Sequence, residues 1–388
     1  LAKKLSTFTT FDKTLILRMR IITTVLFSIL STINLVYSQS LAQDTLDPYG
    51  FVNKYDTKFN GIGPKVYILP LPRTLKDEMI DTYKEIQTFQ DSIHLGYHKE
   101  RLISTFKRTS NNQFVHNIIQ DKISESDQTK LLQKFIEQKN HAVVYGLYNI
   151  IANDYLLEGK IYKALEALNT ALSHAQSANN PQDIATIQSN LASTYLLTNK
   201  FDEALHLESL HLENALKTKN IADQAVSTAK IAWIQAYKKE YHTAENTIIR
   251  KAIPLFNKSK YYAGKVDAWI ILADIYRAQN KHTEAQWFLL QARDLAKEKD
   301  FSEKLATIEY MLGSSKMIQS NYKVAQNELE EAWNLVKGEE DNFLQLAIAE
   351  QLGRSHVHLK DYESAKNFLD QYWSLRKSLF SKKITSIQ

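Results

Sequence analysis

Six alanines, Ala164, Ala204, Ala244, Ala285, Ala325 and Ala365, are separated by 40, 40, 41, 40 and 40 residues. A second ladder of small residues lies 12 positions before each: Ala152, Ala192, Ala232, Ala273, Gly313 and Gly353. Small side chains at a fixed long period mark places where helices approach closely, unit after unit. The spacing therefore predicts an all-α chain, an α-solenoid of stacked helical hairpins in which no hairpin buries its apolar face alone. Six matched hits on two ladders are not expected from alanine abundance.

The remaining chain divides around this array. Residues 1–18 carry no periodic pattern and read as a leader or an overextended gene start. Residues 19–42 read as a secretory signal peptide: Arg18 and Arg20 flank Met19, Ile21–Val36 is mostly apolar, and small residues precede Gln39 and Gln43. Ile21–Tyr37 is short for a membrane span and contains Thr23, Thr24, Ser28, Ser31, Thr32 and Asn34. The expected mature chain has no membrane span. Residues 43–73, with Gly50, Gly61, Gly63, Pro64, Pro70 and Pro72, read as an extended arm with a short strand at 66–69. Residues 74–140 are expected to hold divergent helical hairpins that cap the N-terminal end of the array, with helices near 75–89, 98–107, 113–121 and 127–139. Six repeats occupy 141–380, and 381–388 form a tail. Pro254, late in the second helix of the third unit, predicts a helix end or kink.

The 388-residue chain has no Cys, which excludes disulfides, thiolate catalysis and Cys-ligated metal. The formal charge of +5 comes mostly from residues 1–38; without them 43 basic residues face 42 acidic ones, so no nucleic-acid footprint is expected. No phosphate loop or nucleophile elbow is present. The His pairs (His94/His98, His206/His211, His356/His358) lack the convergent third ligand of a zinc site. Neither an enzyme, a cofactor nor a metal is expected.

The fourth unit reads Trp269-x-x-Leu272-Ala273-x-x-Tyr276, followed by Ala285-x-x-x-Leu289 and Ala292. This resembles the tetratricopeptide repeat (TPR), and a period near 40 resembles its long-repeat subclass. The first unit follows it with Tyr148, Ala152, Tyr155, Ala164, Leu168 and Ala171; in the third, Gln235 stands in place of the tyrosine. The resemblance covers residues 141–380 and implies a right-handed solenoid whose first helices line a concave groove. It places Asn149, Asn153, Asn190, Trp233, Tyr237, Asp274, Arg277, Tyr310 and Arg354 on that groove, with Ser189, Ser193 and Glu350 beside them. Asn side chains can grip an extended backbone through paired donor and acceptor bonds. Trp233 and Tyr310 could anchor a side chain or pack between helices.

The implied function is an exported, periplasmic or secreted bacterial scaffold that binds a peptide or protein segment in the groove. The alternative is the sensor module of a bacterial regulatory system, free-standing or truncated. The last helix offers Phe368, Leu369, Tyr372, Trp373, Leu375 and Leu379 with no later helix to cover them, so self-association through it is expected.

Overall fold

The computed structural model describes residues 73–119, 125–338, 340 and 342–385. The leader, signal peptide, arm and short strand expected over residues 1–72 lie outside them. Residues 75–388 belong to one compact unit. Among the described residues the structure is helical, and no helix is long and apolar enough to cross a membrane.

Four helices precede the repeats: α1 (Leu75–Gln87), α2 (Gln90–Ile103), α3 (Asn112–Ile119) and α4 (Glu125–Glu137). The array follows as α5 (His141–Leu157), α6 (Ile161–Ser177), α7 (Pro181–Leu197), α8 (Phe201–Lys217), α9 (Ile221–Tyr237), α10 (Tyr241–Thr247), α11 (Ile253–Ser259), α12 (Tyr262–Ala278), α13 (His282–Glu298), α14 (Ser302–Ile318), α15 (Tyr322–Val336), α16 (Phe343–Leu359) and α17 (Tyr362–Thr385). The expected tail therefore begins as the last turns of α17.

The period has a simple local origin. Helices of 17 residues alternate with three-residue turns, each containing one residue with positive φ. Asn179, Asn199, Asn280, Asp300 and Gly159 fill this place, as the left-handed conformation favours, but Lys139, Lys219, Lys239, Lys260 and Lys360 do so too. Asn180 caps α7 by accepting a hydrogen bond from the Asp183 N–H, with Pro181 as the first helical residue.

All twelve ladder residues are buried. Their smallness is a packing requirement. A Cβ on Gly313 would lie 2.6 Å from Leu329 Cγ and 3.2 Å from the Ala325 carbonyl oxygen. One on Gly353 would lie 2.5 Å from Leu369 Cδ2. In the fifth and sixth hairpins the first helix thus presses against the leucine four residues after the alanine of the second.

The single 41-residue gap falls between Ala244 and Ala285. There α10 runs into a π-helical turn, Ile248–Ala252, and then α11. The wide turn takes up an additional residue and precedes Pro254, which has no N–H to continue the ladder. The helix is interrupted but not ended.

The N-terminal helices depart from the expected cap. α3 and α4 pack on α5, as a cap would. α1 packs instead on α16 and α17, at the far end of the array, while α2 touches α5, α7 and α16. α1 therefore contributes cover for the last helix: Leu369 and Tyr372 are buried, Phe89 meets Trp373 edge to face, and Arg376 lies over the Phe89 ring at 4.0 Å. Part of the apolar face on which self-association is expected is thus covered by the chain itself, while Phe368, Trp373, Leu375 and Leu379 stay half-buried.

Candidate functional site: a groove occupied from within

The first helices of the hairpins, α5, α7, α9, α12, α14 and α16, present one continuous face. The segment from α2 to the start of α3 is laid along it. At the sixth hairpin, Glu100 accepts the Phe343 N–H at 2.9 Å at the N-terminus of α16. Gln90 donates to Glu350 at 3.1 Å. Gly96 is required beside the Phe343 ring, because a Cβ there would overlap it. In the middle, Arg101 pairs with Asp274 at 2.5 Å and its guanidinium lies 5.4 Å from the Trp233 ring centroid. Tyr97 meets Tyr310 edge to face, with centroids 5.3 Å apart.

α2 ends at Ile103, short of the helix expected over 98–107, and Phe106–Thr109 have no regular secondary structure. Their backbone is instead held by side chains of the array. Lys107 N–H donates to Asn190 Oδ1 at 2.7 Å, and its carbonyl accepts from Asn190 Nδ2 at 2.8 Å and Asn149 Nδ2 at 3.2 Å. Asn190 Nδ2 also reaches Asn149 Oδ1 at 2.9 Å, which fixes the orientation of both amides. Thr105 and Ser193 hydroxyls are 3.0 Å apart. Ser110 donates to the two Asp183 oxygens, from N–H at 2.7 Å and from Oγ at 2.6 Å. Asp183 is fully buried and held by Tyr145 and Asn180.

The Lys107 side chain enters a polar recess. Its Nζ lies 3.1 Å from His211 Nε2 and 3.8 Å from Asp223 Oδ1. Behind His211, Glu208 accepts from Ser189 Oγ at 2.9 Å and pairs with Lys230 at 3.4 Å. Burial opposes ionisation of Glu208, but Lys230, His211 and Lys107 outweigh it and hold the carboxyl below its ordinary range. Burial, then the Lys107 charge, pushes His211 down to about 4. His211 is therefore neutral near pH 7, with Nδ1 against the Ser227 hydroxyl.

The nine residues expected on the groove all lie in the first helices of the hairpins, and each has contacts within the chain. Asn149 and Asn190 form the clamp. Asn153 lines a cavity of about 520 Å³ shared with Arg108, Asn112 and His116. Trp233 is buried under Arg101, and Tyr237 stacks 5.9 Å from Phe201, with burial raising its hydroxyl to about 12. Asp274 holds Arg101 and Arg277, and Arg277 also reaches Ser314 at 3.0 Å. Tyr310 is buried against Tyr97, and Arg354 lies 5.8 Å from the Tyr83 ring centroid. Sequence reasoning weighed His211 only as a metal ligand and did not place it, Asp183, Glu208, Asp223 or Lys230 at the groove. The signal was available: the position four after each ladder alanine is Leu168, Ile248, Leu289, Leu329 and Leu369 in five units, and Glu208 in the second.

A separate carboxylate cluster, Glu309, Glu328 and Glu331, lies between the fourth and fifth hairpins. Arg293 reaches Glu309 and Glu328 at 3.5 and 3.2 Å, Lys297 reaches Glu331 at 2.9 Å, and Lys316 pairs with Glu328. It is an internally neutralised ion-pair network.

The tetratricopeptide repeat model matches residues 144–217, the first two hairpins. No curated protein is significantly similar in sequence. The crystal structure of aspartyl phosphate phosphatase F from Bacillus subtilis aligns over 81% of this chain and 88% of its own, with a TM-score of 0.53 at 12% identity. A Rap protein complexed with competence and sporulation factor aligns over 79% and 99%, with a TM-score of 0.48 at 12% identity. NprR complexed with its cognate peptide NprX aligns over 71% and 78%, with a TM-score of 0.45 at 14% identity. Residues 144–217 are thus matched as tetratricopeptide repeats, and the ladders of buried small residues and the unbroken helical stack carry the same tetratricopeptide-like hairpin through the rest of the array.

Proposed function

We propose that the protein is an exported interaction scaffold that grips an extended segment of a partner protein along the face lined by its first helices. One observation supports this above all: Asn190 engages both backbone groups of Lys107, and Asn149 shares the carbonyl. An amide that donates to and accepts from the same residue recognises an extended backbone whatever its side chains. The site is thus chemically equipped to hold a strand-like segment, and it holds one here. Export is supported by the signal-like residues 19–42, with a mature chain starting near Gln39 or Gln43.

The test is cross-linked capture from native envelopes with the wild-type protein beside the Asn149→Ala, Asn190→Ala double variant. The reading predicts partners that depend on the two amides. Identical captured sets from both proteins would contradict it. The mature N-terminus, read by mass spectrometry, tests export: a chain retaining residues 19–42 in the cytoplasm would overturn that part.

A further inference from the structure

We infer that residues 104–111 are a built-in occupant of the groove, and that the partner is an extended protein segment with a lysine followed three residues later by a serine or threonine, which takes the same seat. The inference rests on the proposed function and specifies the ligand of that site.

Three features of the occupied seat carry it. The backbone clamp at Lys107 supplies grip without sequence preference. The side-chain recess supplies the preference. Asp223 and neutral His211 receive the Lys107 ammonium, and Glu208 and His211 add polarity where the repeat is apolar, the matching residues of the first hairpin being Leu168 and Ala171. Asp183 then reads the hydroxyl at the third following residue, accepting both Ser110 N–H and Ser110 Oγ–H. A buried carboxylate that takes two bonds from one serine favours Ser or Thr there, because an apolar side chain would remove the Oγ–H bond that Oδ2 accepts beside those from Tyr145 and Asn180.

The occupant is also placed so that it can leave. Phe106–Thr109 form no backbone ladder with the array, and the segment lies between the end of α2 and the start of α3. The small-residue contacts at Gly313 and Gly353 are with Leu329 and Leu369 of the array itself, not with the segment. Tethering gives the internal segment a high effective concentration, so it competes with any partner and weakens apparent affinity by the fraction of time the seat is free.

The experiment uses the full chain and a labelled synthetic peptide of residues 103–112. A release variant, Lys107→Pro with Ser110→Ala, removes the donor at 107 and both side-chain anchors while leaving the array intact. A locked variant uses Thr105→Cys with Ser193→Cys, whose hydroxyls stand 3.0 Å apart in a chain with no other cysteine. The inference predicts binding to the release variant at least about tenfold tighter than to wild type. It also predicts no binding to the oxidised locked variant and recovery on reduction. Replacing the peptide's lysine by glutamate, or its second serine by alanine, should weaken binding to the release variant.

Equal affinity for wild type and release variant, or for parent and substituted peptides, would overturn the inference. So would failure of the two cysteines to join, or absence of peptide binding by any form, and in those cases the capture experiment still decides the groove reading. If the release variant does not fold, oxidised against reduced locked protein carries the test: equal binding by the two overturns the inference.

Discussion

At the residue scale, the structure turns on side chains that break the repeat. His211 is the most sensitive. Its folded pKa, about 4, lies below the roughly 6.5 of an unfolded histidine. The unfolded chain therefore takes the proton first. The stability this group contributes is complete above about pH 6.5 and is lost as pH falls toward 4. Lys107 and Lys230 face the imidazole and disfavour its charge, while Glu208 and Asp223 favour it. Wild type should lose about 2 kcal/mol more than His211→Gln between pH 7 and pH 5, measured by urea unfolding. Parallel pH profiles for the two proteins would contradict the assignment. Asn190→Ala should cost about 1–3 kcal/mol, because its buried amide serves Lys107 and Asn149 together. The groove asparagines were legible in the sequence through the family register. The recess was legible only as an exception, Glu208 where leucine recurs, and its meaning depends on Lys107, a residue 101 positions earlier that no periodicity connects to it.

At the element scale, the two ladders state which helix surfaces meet. Ala285 is fully buried at such a meeting, so Ala285→Leu should overpack the crossing and cost about 1–3 kcal/mol, read as a lowered unfolding midpoint. An unchanged midpoint would mean the register is misplaced. The irregularity expected from Pro254 is a π-helical turn just before it, and the 41-residue gap falls at the same place. The docking of α1 and α2 was not legible. Their apolar periodicity announces amphipathic helices but not the surface they cover, since nothing local distinguishes the near end of the array from the far end. The anchors are long-range: Arg101 with Asp274, Glu100 with the start of α16. Arg101→Ala strips Asp274 of its closest cation and should destabilise the protein by about 3 kcal/mol in denaturant titration. A loss within experimental error would show that α2 is held by packing alone.

At the scale of the whole molecule, the protein is a repeat array whose first-helix face is lined by its own chain. Each hairpin depends on its neighbours for burial. The segment preceding the repeats adds contacts that run from the sixth hairpin back to the first, and so links parts of the array that do not otherwise touch. The most direct test of this arrangement is native-state hydrogen exchange at the Lys107 and Ser110 amides. Neither amide belongs to a helix, yet both donate to groove side chains, Asn190 and Asp183. The account predicts strong protection at both, with the Lys107 amide losing it in Asn190→Ala while the α7 and α9 amides keep theirs. Exchange of Lys107 and Ser110 at the rate of a free peptide in the wild-type protein would contradict it.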